Sequence, residues 1–313
     1  MTIRRSQVAL NAIQWINFKP GPGEARRWLY ADPSWRNEQL HVHEQIRAAG
    51  FDAVMMEVLD TQTLQSYKQM LDHAGLRAAP GYIQIAPAEL KGQTPKRGSA
   101  EWIRWFDSVR RRAEESNFLG LDTVFLAPEM DFQGPRVTEA AATGAFFSQD
   151  ALDLQVEYLA EAAKVLKQEG IRAGLHNHVG TLIETAYEIE YALSQIDESL
   201  LGASLDVGHL AWAGIDYLAF IEKHSSRLID LHLKDLDLDI ATASRSSATP
   251  YYEVSDQRFF LEPGLGNLDL GGILKAVGED FGGWVIVEVD RASMDPFESA
   301  QFSWKWIEAK FPA

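Results

Sequence analysis

The chain has 313 residues, 29 Lys and Arg against 45 Asp and Glu, a net charge of −16, and no Cys. The lack of Cys excludes a disulfide scaffold, a thiolate-held metal and a Cys nucleophile. A hydrophobic fraction of 46% excludes a disordered chain, and the acid excess argues against a nucleic-acid binder, which needs clustered Lys and Arg.

The opening segment carries Arg4 and Arg5, but its apolar run is broken by Asn11, Gln14 and Asn17. It reads as a first strand rather than an export signal. No run of about 18 apolar residues follows, so no membrane span is expected, and the cytoplasm is the expected location. Strand patterns then recur at 8–15, 52–57, 77–83, 122–127, 172–177, 203–207, 228–233 and 284–289. Helical spacing fills the intervals at 38–49, 64–73, 100–116, 150–168, 184–195, 216–224, 270–277 and 296–309. Gly50, Gly75 and Gly170 fit left-handed helix ends leading into strands. Ser148 or Gln149 with Asp150, and Asp269, fit helix N-caps. Strict alternation implies βαβ units and a parallel sheet. Eight units fit an α/β fold of the (β/α)8 TIM-barrel type over residues 1–313, which needs about 250 residues. The excess lies in insertions near 19–34, 84–98, 129–146 and 236–262, all after strands. A doubly wound sheet is the alternative, but no GxGxxG follows the first strand.

Four consecutive strands end in polar groups on one face. In 228–235 the two-residue period turns Ile229, Leu231 and Leu233 outward and Asp230, His232 and Lys234 inward. By the same rule Asp206 opposes Leu205 and Val207, Glu288 opposes the Val face of its strand, and His176 and His178 share a face. Burying such groups costs several kcal/mol each, about 2–7 for a polar group left without a partner. A shared divalent metal is the economical compensation, and imidazole with carboxylate suits Mn²⁺, Co²⁺, Mg²⁺, Fe²⁺ or Zn²⁺. His41 and His43 sit two apart on a helix and read as solvated. His73 and His224 read as helix-end residues. Glu57 and Glu129 follow strands and are candidates for the barrel mouth. Trp15, Trp212 and Trp284 read first as core, with Trp15 and Trp212 also candidates for lining a pocket.

These segments resemble the sugar phosphate isomerase/epimerase family, the xylose-isomerase-like or AP-endonuclease-family-2 TIM barrels. The likeness is carried by 174–181 (GLHNHVGT), 205–210 (LDVGHL), 230–235 (DLHLKD), 263–269 (PGLGNLD) and 283–288 (GWVIVE). Within that family the chain looks most like the inosose dehydratase branch. The resemblance implies metal ligands His176, Asp206, His232 and Glu288, with Mn²⁺ the first expectation. It also places His209 and Lys234 in the substrate site. Many members carry Glu where this chain has His176, which leaves Glu129 or His178 as alternative contacts. Gly264 and Gly266 give only a weak phosphate-loop signal, and the acidity favours a neutral substrate.

Such a centre suits proton removal beside a carbonyl, with His209 or His178 as acid or base and Lys234 and Glu288 in the reacting site. The expected substrate is a keto-sugar or cyclitol, with dehydration of an inosose-like ring as the leading case. A ketose epimerase or isomerase is one alternative. A 3-keto-C-glycoside deglycosidase subunit with a small partner chain is another. An abasic-site nuclease and a non-catalytic binding protein rank behind them. Homo-oligomers are expected by analogy; neither nucleic acid nor membrane is an expected partner.

Overall fold

The structure is a computed structural model that describes residues 3–16 and 34–313. Its strands are β1 (Val8–Leu10), β2 (Ala53–Met55), β3 (Arg77–Ala79), β4 (Tyr82–Ile85), β5 (Thr123–Pro128), β6 (Arg172–Leu175), β7 (Leu201–Asp206), β8 (Leu228–Leu233), β9 (Asp235–Leu236), β10 (Phe260–Leu261) and β11 (Val285–Val287). The α-helices are α1 (Ile13–Ile16), α2 (Trp35–Ala49), α3 (Leu64–Ala74), α4 (Ala100–Arg104), α5 (Asp107–Leu119), α6 (Pro135–Thr138), α7 (Gln149–Gln168), α8 (Ala186–Gln195), α9 (Val207–Trp212), α10 (Tyr217–His224), α11 (Leu238–Ser246), α12 (Tyr251–Ser255), α13 (Leu270–Ala276) and α14 (Pro296–Lys310).

All eight expected strands are present, with two corrections. The first stops at Leu10, because Asn11 turns the chain: its Oδ1 accepts from Ile13 N–H at 3.1 Å and starts α1. The third is broken into β3 and β4. Pro80 has no N–H to donate, and a Cβ on Gly81 would fall 2.6 Å from the Met56 carbonyl oxygen. The sheet order is β3-β2-β1-β11-β8-β7-β6-β5-β4, all parallel. Its two edges, β3 and β4, are therefore one chain segment separated by Pro80 and Gly81. The break closes an eight-membered barrel.

Two apolar layers result. Inside the barrel, Ala9, Ala53, Met55, Ala79, Phe125 and Ile286 fill the lower floor. Outside, Leu10, Val54, Leu205, Leu231 and Leu233 pack under the helices. The outward side of β8 thus follows the two-residue period. Gly50, Gly75 and Gly170 all have positive φ, as their places after helices demand. Ser148 caps α7 through Ala151 N–H, and Asp269 caps α13 through Gly272 N–H. The expected helix 100–116 is two helices, α4 and α5, meeting at Trp105 and Phe106. Of the expected insertions, 19–34 lies outside the described residues except for Ser34. The segment 236–262 folds into α11 and α12, with β10 pairing antiparallel to β9. No described helix is long and apolar enough to cross a membrane.

Candidate active site

A cavity of about 250 Å³ lies at the C-terminal ends of the strands, where parallel barrels build their sites. One wall carries Asn11, Tyr82, His176, His178, Glu288 and Asp290; the other carries Gln39, His43, Glu57, Gln84 and Arg112. Two insertions cover it. Phe132 from 129–146 stacks on Tyr252 from 236–262 with ring centroids 6.4 Å apart. Ala141 N–H bonds Thr249 O at 3.2 Å and ties the same two insertions together.

Below this wall sits the ammonium of Lys234, fully buried. Its Nζ lies 2.7 Å from Asp290 Oδ1, 2.8 Å from Glu288 Oε1 and 3.1 Å from Asp206 Oδ2. His209 Nε2 is 3.3 Å away. The period of β8 aims Lys234 inward, and Gly208 gives its stem room: a Cβ there would lie 2.8 Å from Lys234 Cγ. Burial works to discharge Lys234, but Asp206, Asp290 and Glu288 outweigh it and hold the ammonium charged. Burial likewise raises the Glu288 carboxyl, and Lys234 outweighs it, leaving Glu288 ionised well below the usual carboxylate range. One ammonium does not neutralise three buried carboxylates. Burial, with Glu288 beside it, pushes Asp290 up to about 7 and Asp206 to about 6, although Lys234 pulls both down.

The imidazoles are neutral at neutral pH. Burial, then the charge of Lys234, holds His178 down to about 4. Its Nδ1 lies 2.7 Å from Val179 O, so that nitrogen carries the proton and Nε2 keeps a lone pair. Burial, then His232 and His178, pushes His176 well below its ordinary value. His176 is 1% exposed, and neither ring nitrogen has a hydrogen-bond partner among the described residues. Tyr82 packs edge-on against it with centroids 4.9 Å apart. The Tyr82 hydroxyl lies 2.9 Å from both His232 Nε2 and Glu288 Oε2. Asn11 Nδ2 also donates to Glu288 Oε2, at 2.6 Å.

The four nominated ligands meet around this centre, three of them in contact with Lys234 or Tyr82. A divalent ion needs them converging at about 2.0–2.2 Å. The Lys234 ammonium sits between Asp206 and Glu288, and the Tyr82 hydroxyl between His232 and Glu288. Asp206 Oδ1 accepts from His209 N–H at 3.0 Å. Both ring nitrogens of His176, His232 Nδ1 and Asp206 Oδ2 are buried with no hydrogen-bond partner among the described residues. Among the described residues no group of three or more His, Asp or Glu is placed to hold a metal ion. The donor set of two imidazoles and two carboxylates, with buried donors left unpartnered, is nevertheless the chemistry a divalent ion takes, and His176, Asp206, His232 and Glu288 are the residues that would hold one.

The other nominated residues separate. His178, Glu57 and Glu288 line the cavity. His209 and Lys234 lie behind the wall; the His209 ring is 3.8 Å from that of His178, centroid to centroid. Glu129 is exposed and paired with Lys91 at 2.9 Å. Trp15, on α1, donates to Gln45 Oε1 at 2.9 Å instead of lining the cavity. Trp212 is buried against Phe259 and donates to Ser244. Asp230 lies deeper, its Oδ1 accepting from Trp284 N–H at 2.7 Å. His43 corrects the solvated reading: it is 3% exposed and lines the cavity. Helix α2 begins at Trp35 rather than 38, and Gln39, Val42, His43 and Ile46 form its inner stripe.

Asp290, Tyr82, Asn11 and Arg112 were not anticipated. Asp290 follows Glu288 by two residues and shares its face, so the strand period could have found it. Arg112 pairs with Glu115 at 2.8 Å and Glu57 at 3.7 Å across the cavity. The glycine loop at 263–269 is no phosphate cradle. The Asp235 carboxylate takes the N–H groups of Gly264, Gly266, Leu268 and Leu236 at 2.9–3.2 Å.

Comparison with known proteins agrees with this architecture. An inosose dehydratase of Clostridium beijerinckii is 29% identical over 181 residues, 57% of this chain and 61% of that protein. The matched segment thus spans about three-fifths of that relative. An inosose dehydratase of Geobacillus kaustophilus is 23% identical over 311 residues, 98% of this chain and 95% of that one. The crystal structure of an IolI protein with a bound zinc atom superposes with a TM-score of 0.66 at 14% identity, covering 98% of this chain and all of that one. The model of the xylose isomerase-like TIM barrel family matches residues 44–310, and the chain belongs to that family.

Proposed function

We propose that this chain is a sugar-modifying enzyme, a lyase or isomerase that removes a proton beside the carbonyl of a keto-sugar or keto-polyol. Dehydration of an inosose-like ring is the leading case. The observation that carries it is the pair of neutral imidazoles, buried His176 and half-buried His178, facing one covered cavity beside Asp290. His178 Nε2 accepts the proton from the carbon beside the carbonyl. His176, whose ring nitrogens have no other partner among the described residues, hydrogen-bonds the carbonyl oxygen as it gains charge. Asp290 hands its proton to the β-hydroxyl as the C–O bond breaks, so water leaves. The names of the relatives support the substrate class. An epimerase or isomerase would use the same base and return the proton to carbon.

The test is mass spectrometry in D₂O on a panel of inososes, ketohexoses and 3-keto-glucosides. Loss of water is the expected result. Deuterium uptake without mass loss would make the chain an isomerase or epimerase. Neither on any compound rejects proton abstraction here.

The raised Asp290 carboxyl gives a pH signature. Its folded pKa of about 7 lies above the ordinary 3.8, so the proton it donates is present below pH 7 and lost as pH rises through it. Lys234, Glu288, Asp206 and Tyr251 are the charged or titratable groups set against it. The elimination rate should therefore fall about tenfold per pH unit above roughly pH 7. A rate that keeps rising to pH 9 would remove Asp290 as the acid.

A further inference from the structure

Arg112 belongs to α5, a helix outside the sheet, yet it lines the cavity. Its guanidinium enters at the break between β3 and β4, where a Cβ on Gly81 would lie 3.5 Å from Nη1. Glu115, 2% exposed, holds it at 2.8 Å. Glu57 stands on its other side, with Oε1 3.7 Å from Nη2, beyond hydrogen-bond reach. An acceptor and a donor thus face each other across a gap. His43 Nδ1 and Gln39 Oε1, from two more cavity residues, are buried without hydrogen-bond partners among the described residues. A hydroxyl group both donates and accepts, and so suits every one of these atoms. An anion does not. Arg111 and Arg112 are already set against three carboxylates, Glu57, Asp60 and Glu115, and a further negative charge would meet Glu57.

We propose that Glu57 and Arg112, with His43 beside them, form a subsite that binds adjacent hydroxyl groups of an uncharged sugar or polyol ring and turns away a substrate carrying phosphate or carboxylate there. One hydroxyl donates to Glu57 and its neighbour accepts from Arg112. The subsite lies on the wall facing Glu288 and Asp290, so it grips the part of the ring that does not react. Tyr82 at the reacting centre and Gln84 on the subsite wall share a face of β4 two residues apart, about 6.6 Å, a span that a six-membered ring with its hydroxyls bridges. The proposal rests on reading this cavity as the active site, and it narrows the substrate to an unphosphorylated one.

The test is calorimetric titration of the purified full chain with myo-inositol and with myo-inositol 1-phosphate. Neither compound has a carbonyl, so binding is measured apart from turnover. The uncharged compound should bind more tightly, by about tenfold or more. Glu57→Gln keeps the side-chain size and the two backbone bonds that fix residue 57: its N–H to the Tyr67 hydroxyl at 3.1 Å, and Gln39 Nε2 to its carbonyl at 2.9 Å. This variant should bind myo-inositol about tenfold more weakly and the phosphate more tightly. A merely structural role for Glu57 would weaken both alike. Wild-type protein that binds the phosphate equally or better, or binds neither compound, overturns the proposal, as does a preference unmoved in Glu57→Gln. The wild-type titrations decide the matter if Glu57→Gln does not fold. A preference for myo-inositol in a chain that transforms nothing in the substrate panel would reject the proposed reaction and leave the subsite standing. Turnover of a phosphorylated ketohexose as efficient as that of its parent would do the reverse.

Discussion

His178→Gln is expected to lower kcat by about 10²–10⁴-fold, about 3–5 kcal/mol of barrier, with folding unchanged. Val179 O holds the Nδ1 proton, so Nε2 is the one lone pair His178 can offer. Glutamine keeps the size and polarity but has no basic nitrogen. The ring lies at the cavity surface rather than in the packed floor, so its loss leaves no large void. Glu129→Gln is the contrasting substitution. That carboxylate is exposed and paired only with Lys91, so kcat should stay within about twofold. Steady-state kinetics on whichever panel compound reacts would measure both. Full turnover by His178→Gln would remove the base from the mechanism.

The second large effect concerns stability. Asp235→Ala should cost about 3–6 kcal/mol, because four backbone N–H groups lose their shared acceptor. Burial raises the Asp235 carboxyl, and the N–H bonds pull it back only in part. Asparagine retains one acceptor oxygen, so Asp235→Asn should fall between wild type and Asp235→Ala. Urea unfolding would rank the three. An unchanged midpoint for Asp235→Ala would mean that the 263–269 loop finds other partners. The clamp also bears on the cavity, since β9 and β10 join through Leu236 and Phe260 beside it. A loosened clamp should weaken the cover formed by Tyr251 and Tyr252.

The barrel was legible because its strands alternate with helices and end in turns with their own chemistry. The inward aim of His232 and Lys234 followed from a period of two on β8. Asp290 obeyed the same period and was lost because the strand pattern was read only to Val289. Tyr82 was hidden by the break at Pro80 and Gly81, which sets the face of β4 independently of β3. His43 was misread because it was weighed against His41, two residues away, and not with Gln39, Val42 and Ile46, whose stripe it shares. The fate of the donor set lay beyond sequence. Spacing shows which groups share a floor, while the pairing of Lys234 with Asp206, Glu288 and Asp290 is set by distances of a few tenths of an ångström.

The pairing of β1 with β11 sets the order in which this centre comes into being. Val8 finds Val285 across almost the whole chain, so during synthesis β1 emerges early and waits with one edge bare. Such an edge is open to pairing with another chain until β11 arrives. Lys234 waits as well: Asp206 precedes it, but Glu288 and Asp290 follow it by more than fifty residues. Barrel closure and completion of its charge cluster are thus one late event, and a nascent chain stalled before residue 285 holds neither.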